Sequence, residues 1–289
     1  MNVDPGIRFD FAQIGGVRLH YAAAGGGDEL VLLLHGFPEC WYSWRKQLPA
    51  LGERYTVVAP DLKGYNLSDK PAAVSEYKLD KLADDVIGLI HHFGRDKAAV
   101  IGHDWGAAIA WHIGSNFPEC LTKLGAFQVP PSNIWKRNLS LRQIAASWYM
   151  FFFQFPYIPE YLLSRNDFDL LKNALRATTA EPGVIEEEDI KVYESAWKEA
   201  GVITAMLNYY RANVFGRLLG PSVSEKRITV PTLFVYGQKD RAVLPESVRG
   251  VGDMIDAKLD QFLFPTAAHW IQQEIPNEIN EILLEFLAS

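Results

Sequence analysis

The stretch that decides the fold is VIGHDWGAAIAW, which runs from Val100 to Trp111. An apolar run leads into a turn with glycine on both sides, and the small residues that follow suit the start of a helix. The turn, Gly102 to Gly106, has the form G-x-D-x-G with Asp104 at its centre. Glycine is needed where the backbone folds so tightly that a Cβ atom would clash. With serine at the centre, such a turn exposes a nucleophile above a sheet. An aspartate is equally compatible with an ordinary helix N-cap, so the turn alone leaves both interpretations open.

Apolar runs elsewhere in the chain repeat the design that precedes this turn. They are LVLLLHG (30–36), YTVVAPD (55–61), AAVIGHD (98–104) and TLFVYGQKD (232–240). Runs that are apolar on both faces are typical of buried parallel strands. Between them lie amphipathic stretches such as residues 77–94, which have helical spacing and a glycine stop. The alternation predicts an α/β fold, a mostly parallel doubly wound sheet whose sites lie at the carboxyl ends of strands.

The alternation of strands and helices is interrupted after LTKLGAF, residues 121–127. The sequence after this point is rich in aromatic residues and has a helical pattern, without a buried strand. The next pattern of a buried strand is ITVPTLFVYG. We therefore predict an α/β core formed by residues 1–129 and 222–289. A helical cap, residues 130–221, is predicted to be inserted into that core.

The composition limits the kinds of partner. The net charge is −7, so the overall field repels phosphate backbones and anionic membranes, and we expect neither nucleic acid nor membrane as a partner. The longest apolar stretches fall short of the ~20 residues that a spanning helix needs. No secretion signal is visible at the N-terminus, and Cys40 and Cys120 suit reduced thiols, so we expect a cytoplasmic protein. The seven histidines lack the spacing of metal ligands. The sequence does not decide between a monomer and a homodimer.

Two more chemically active residues follow strand-like segments near the C-terminus. Asp240 comes at the end of TLFVYGQKD, and His269 lies in AAHW, just after the short strand pattern DQFLFPT. The chain order Asp104, Asp240, His269 is the order of nucleophile, acid and base in hydrolases built around a G-x-S-x-G turn. HGFP (35–38) follows the first strong strand, where such folds take a second oxyanion-hole N–H.

A carboxylate nucleophile implies a different reaction from that of a serine. An aspartate, with an ordinary pKa of ~3.9, is already ionised at neutral pH and suits displacement at a saturated carbon, which yields an ester of the enzyme. His269, oriented by Asp240, would then deprotonate the water that attacks the ester carbonyl. The backbone N–H groups of Phe37 and Trp105 would hold the resulting oxyanion. Histidine thus serves the second step rather than the first.

Several segments together resemble the α/β-hydrolase-fold epoxide hydrolases. They are HGFPE, DLKGYNLSDKP, GHDWG, the WYMFFFQFP of the predicted cap, and AAHW, and the resemblance covers nearly the whole chain. It implies the α/β-hydrolase fold with a cap, and addition of water to a small apolar epoxide to give a vicinal diol, with no cofactor and no metal. It also implies two cap tyrosines that hydrogen-bond the epoxide oxygen. By position these are Tyr149 and Tyr210, with Tyr209 as the alternative to the second. We expect Phe37, Trp105, Phe153 and Trp270 to contact substrate.

Two other functions remain open at this point. Haloalkane and haloacid dehalogenases use the same aspartate nucleophile. Haloalkane dehalogenases commonly carry asparagine after the His-Gly of the first loop, where this chain has Phe37. Fluoroacetate dehalogenases usually have arginine directly after the nucleophile, where this chain has Trp105. The second alternative is a catalytically silent ligand-binding protein on a hydrolase scaffold.

Overall fold

One sheet organises the computed structural model, which describes residues 4–219 and 226–289. Within those residues the sheet has eight strands in the order β1-β2-β4-β3-β5-β6-β7-β8. β2 runs antiparallel to β1 and β4, and the other neighbours are parallel, as the α/β-hydrolase fold requires. The strands are β1 Arg8–Ile14, β2 Val17–Ala24, β3 Leu30–Leu34, β4 Thr56–Pro60, β5 Ala98–His103, β6 Leu121–Phe127, β7 Thr232–Gly237 and β8 Leu259–Phe264. The predicted fold class is confirmed.

The central strands are buried on both faces because their sequences are apolar at successive positions. Every residue of β3, β5 and β7 is buried. The parallel register pairs Val31 with Ala99 and Leu34 with Gly102, so the carboxyl ends of β3 and β5 lie side by side. The residues that follow these strands therefore meet at one edge of the sheet.

The hairpin of β1 and β2 was not predicted from the sequence. Gly15 and Gly16 connect the two strands, and both have positive φ, 51° and 90°, as a two-residue hairpin turn demands. Most of β1 is exposed, so it lacks the continuous apolar run that marks the buried strands.

Among the described residues, five helices lie outside the segment that joins β6 to β7. The predicted helix over residues 77–94 is found as Leu79–His92, and the helix after Asp104 begins at Trp105. The five are α1 Gln47–Gly52, α2 Leu79–His92, α3 Trp105–Asn116, α11 Ile271–Glu274 and α12 Pro276–Ala288. α3 is buried along most of its length and supports the end of β5.

The segment between β6 and β7 is helical in its described part, as the pattern predicted. Its helices are α4 Ser132–Arg137, α5 Leu141–Ala146, α6 Trp148–Phe152, α7 Ile158–Ser164, α8 Asp169–Ala177, α9 Glu187–Trp197 and α10 Val202–Leu219. The division into core and cap stays a prediction, and its boundary at 221/222, like the first residue of the core, lies outside the described residues. Across the described residues, every helix is too short or too polar to cross a bilayer.

Candidate active site

Asp104 occupies a strained turn between β5 and α3. Its φ of 52° and ψ of −116° are unusual for a residue with a side chain. A Cβ atom on Gly102 would overlap the carbonyl oxygen of Gly106, and one on Gly106 would overlap that of Leu34, so both glycines of the motif are required. The Asp104 carboxylate turns to the loop after β3, where the backbone N–H of Phe37 donates to Oδ1 at 2.9 Å.

The structure brings His269 and Asp240 to the same edge of the sheet. His269 Nδ1 lies 2.8 Å from Asp240 Oδ2, and its Nε2 lies 3.9 Å from Asp104 Oδ2. The backbone N–H groups of Ala242 and Val243 donate to Asp240 Oδ1 at 2.7 and 3.0 Å. A carboxylate held in this way accepts the Nδ1 proton of the imidazole and leaves Nε2 to face Asp104.

Gln128 holds Asp240 in position, and sequence reasoning missed this residue. Its amide donates to Asp240 Oδ2 at 2.9 Å and to the carbonyl of Ala268 at 2.6 Å, while its Oε1 accepts the N–H of Gly237 at 2.6 Å. The side chain is fully buried, and its φ is 69°. Gln128 directly follows β6, and this position at the carboxyl end of a parallel strand was the signal that could have found it.

A second buried pair fixes the backbone of the histidine loop. His103 Nδ1 lies 3.1 Å from Glu39 Oε2, and His103 Nε2 donates to the carbonyl of His269 at 2.8 Å. Gln273 donates to the other oxygen of Glu39 at 2.7 Å. Both ring nitrogens of His103 therefore face oxygen atoms of the chain. Sequence reasoning missed this pair, although Glu39 directly follows HGFP and His103 lies within the G-x-D-x-G turn.

The charges around His269 decide its protonation. Burial lowers the pKa of its imidazole, but the charge and hydrogen bond of Asp240, followed by the charges of Asp104 and Glu39, raise the pKa to about 9. The resting site therefore holds an imidazolium at neutral pH. Since Asp104 contributes to that rise, loss of its charge would lower the pKa of His269 and favour the neutral base.

Tyr149 and Tyr210 line the same cavities as Asp104. Burial, followed by the charge of Asp104, raises the pKa of both phenols above the ordinary value of 10, so both keep their protons. The Tyr210 ring packs edge-on against the Trp105 ring, with 5.1 Å between the ring centroids.

Tyr209, the alternative to Tyr210, points elsewhere. Its hydroxyl donates to the carbonyl of Lys63 at 2.7 Å, and its ring packs against Tyr65. Successive residues of a helix are rotated by about 100°, so adjacent tyrosines of α10 face different neighbours. The structure places Tyr210 at the site.

Two cavities meet at the carboxylate. We call them the small chamber, with a volume of about 110 Å³, and the large chamber, with a volume of about 350 Å³. Asp104, Tyr149 and Tyr210 line both chambers. Of the residues expected to contact substrate, Trp105 lines the small chamber, and Phe37, Phe153 and Trp270 line the large one together with His269.

The acidic and histidine side chains of the site pair with one another. In the described part of the chain, no three His, Cys, Asp or Glu side chains are grouped so that they could hold a metal ion. The absence of a cofactor stays a prediction.

Comparisons with known proteins give the family. Residues 29–274 match the family model described as the alpha/beta hydrolase fold. The chain is 42% identical to the AB hydrolase superfamily protein YfhM of Bacillus subtilis over 98% of both chains. It is 36% identical to epoxide hydrolase 3 of Mus musculus, covering 94% of this chain and 74% of the relative.

Solved structures agree with the sequence relatives. An epoxide hydrolase of Bacillus megaterium, crystallised with an inhibitor, is 30% identical and superposes with a TM-score of 0.86 over 97% of this chain and 100% of its own. The resemblance stated from the motifs is thereby confirmed. The chain is a hydrolase that belongs to the α/β-hydrolase-fold epoxide hydrolase family.

Proposed function

We propose that this protein hydrolyses epoxides to vicinal diols through a covalent alkyl ester on Asp104. One observation carries the proposal: the Asp104 carboxylate faces the His269 imidazole at 3.9 Å and shares both chambers with the hydroxyl-bearing Tyr149 and Tyr210. The relatives named as epoxide hydrolases support the same activity.

In the first step, Asp104 Oδ2 bonds to one ring carbon of the epoxide. The C–O bond of that carbon breaks, and its electron pair moves to the ring oxygen, which Tyr149 and Tyr210 stabilise by hydrogen bonds. This oxygen takes up, through solvent, the proton that the His269 imidazolium gives up. A phenol whose pKa is raised donates a hydrogen bond without ionising. Asp104 has lost its charge, so the pKa of His269 falls and the imidazole becomes a base.

In the second step, His269 takes a proton from water, and the resulting hydroxide attacks the Cγ carbon of Asp104. The carbonyl electron pair moves to Oδ1, which the N–H of Phe37 already contacts. The N–H of Trp105, the first residue of α3, is the second donor, because the first N–H groups of a helix lack intrahelical partners. The bond from Cγ to Oδ2 then breaks, His269 gives its proton to the leaving oxygen, and the diol leaves. The new Asp104 carboxyl passes its proton to His269, which restores the carboxylate and the imidazolium.

The direct test supplies styrene oxide and 1-chlorobutane separately and measures diol and chloride. The proposal expects diol from the epoxide and no chloride. Chloride without diol would establish a dehalogenase, and the absence of both products would favour a silent binding protein.

A variant separates the two steps. His269→Gln keeps the nucleophile and removes the base, so the alkyl ester should accumulate and appear in intact-protein mass spectrometry. Asp104→Asn, treated identically, should show no added mass. Normal turnover by His269→Gln would show that the base has been assigned wrongly.

A further inference from the structure

The two chambers differ in size and meet only at the reacting groups. Their shared lining residues are Asp104, Tyr149 and Tyr210, which are the proposed nucleophile and the proposed oxygen donors. An epoxide ring bound between these three residues has the small chamber on one side and the large chamber on the other. The other lining residues of the small chamber include Val129 and Val214, and those of the large chamber include Ala174.

We propose that the preferred substrates are unsymmetrical internal epoxides, with a short alkyl group on one ring carbon and an aryl or larger group on the other. The short group occupies the small chamber and the large group occupies the large chamber. This proposal rests on the proposed function and adds to it the substrate class.

The volumes set the sizes of the two groups. A protein cavity of about 150 Å³ is known to bind benzene. The small chamber, at about 110 Å³, is smaller than that and suits a chain of a few carbons. The large chamber, at about 350 Å³, is more than twice that size. His269 lines only the large chamber, which must therefore also admit the attacking water, whose share of liquid volume is about 30 Å³.

The position of the ring oxygen directs the two substituents into separate chambers. Tyr149 and Tyr210 line the junction, so an oxygen held between them fixes the ring there, and the groups on the two ring carbons diverge from it. Trp135 and Met150 contribute further apolar surface to the small chamber. A terminal epoxide leaves one chamber without a substituent and loses about fourfold in kcat/KM for each methylene group not buried.

The test compares 1-phenylpropylene oxide, which has a methyl group on the second ring carbon, with styrene oxide, which does not. We expect the wild-type protein to hydrolyse both, with the higher kcat/KM for 1-phenylpropylene oxide. Val214→Phe, which fills the small chamber, should lower the ratio of the two kcat/KM values at least about fourfold, because the methyl group is then no longer buried. The matched variant Ala174→Phe, in the wall of the large chamber, should lower both kcat/KM values and leave their ratio within threefold.

A smaller residue at the same position gives an independent result if Val214→Phe fails to fold. Val214→Ala enlarges the small chamber and should raise kcat/KM for trans-stilbene oxide, which has two aryl groups, relative to 1-phenylpropylene oxide. An unchanged ratio in every Val214 variant that folds would overturn the substrate class, as would a wild-type preference for styrene oxide. Diol from styrene oxide under those outcomes would leave the proposed function standing, whereas no diol from any epoxide would overturn the function itself.

Discussion

Replacing Asp104 by asparagine should turn His269 from an acid into a base at neutral pH. The substitution keeps the shape of the side chain and removes its charge, as alkylation does. Asp104 Oδ2 lies 3.9 Å from His269 Nε2. Two unit charges at that distance interact by about 4 kcal/mol at an effective dielectric constant of about 20. At 1.36 kcal/mol for each pH unit, this corresponds to a fall of about three units.

The expected pKa of His269 in Asp104→Asn is therefore about 6, compared with about 9 in the wild-type protein. Histidine ¹⁵N NMR titration measures both values, and His269→Gln identifies the resonance among the seven histidines. Asp84→Asn is the control, because its side chain is 60% exposed on the surface and should leave this pKa unchanged. A fall of less than one unit in Asp104→Asn would refute the reasoning that esterification creates the base.

Three further results are expected. Tyr149→Phe and Tyr210→Phe should each slow ester formation at least tenfold, as measured by stopped-flow fluorescence, because each substitution removes one hydrogen bond to the ring oxygen. Substrate binding should change less. Unchanged rates in both variants would contradict the tyrosine assignment. Gln128→Met should lower the free energy of unfolding by about 3 kcal/mol in urea titrations, because it leaves buried polar groups unpaired, and a loss below about 0.5 kcal/mol would contradict the support assigned to Gln128. The raised pKa of His269 stabilises the fold fully below pH 6.5, and about 3 kcal/mol of that stability should disappear as pH rises through about 9; this slope should be absent from His269→Gln.

The sequence was sufficient to predict those features that a pattern within one short segment determines. Continuous apolar runs predicted β3, β4, β5 and β7 to within three residues, because a strand buried on both faces must be apolar at every position. The G-x-D-x-G turn predicted the location of Asp104 for a similar reason, since only glycine permits the close approach of β5 and α3.

The remaining parts of the site depend on contacts between distant residues. Gln128 and Asp240 are 112 positions apart, and Glu39 and His103 are 64 apart, so neither pairing leaves a pattern within one segment. Tyr210 could not be distinguished from Tyr209, because α10 is apolar on several sides and its spacing does not reveal which side meets the cavity. The division into two chambers depends on side chains from both the sheet edge and the helices between β6 and β7, which spacing cannot supply.

The covalent step is tested most directly by a single turnover in oxygen-18 water with enzyme in excess over epoxide. If water attacks the Cγ carbon of Asp104, the label must enter that carboxylate, and the first diol released must carry the unlabelled oxygen that Asp104 supplied. Mass spectrometry of the peptide containing Asp104 and of the diol measures both quantities. Label in the diol and an unlabelled Asp104 would show that water attacks the epoxide itself, which contradicts the mechanism.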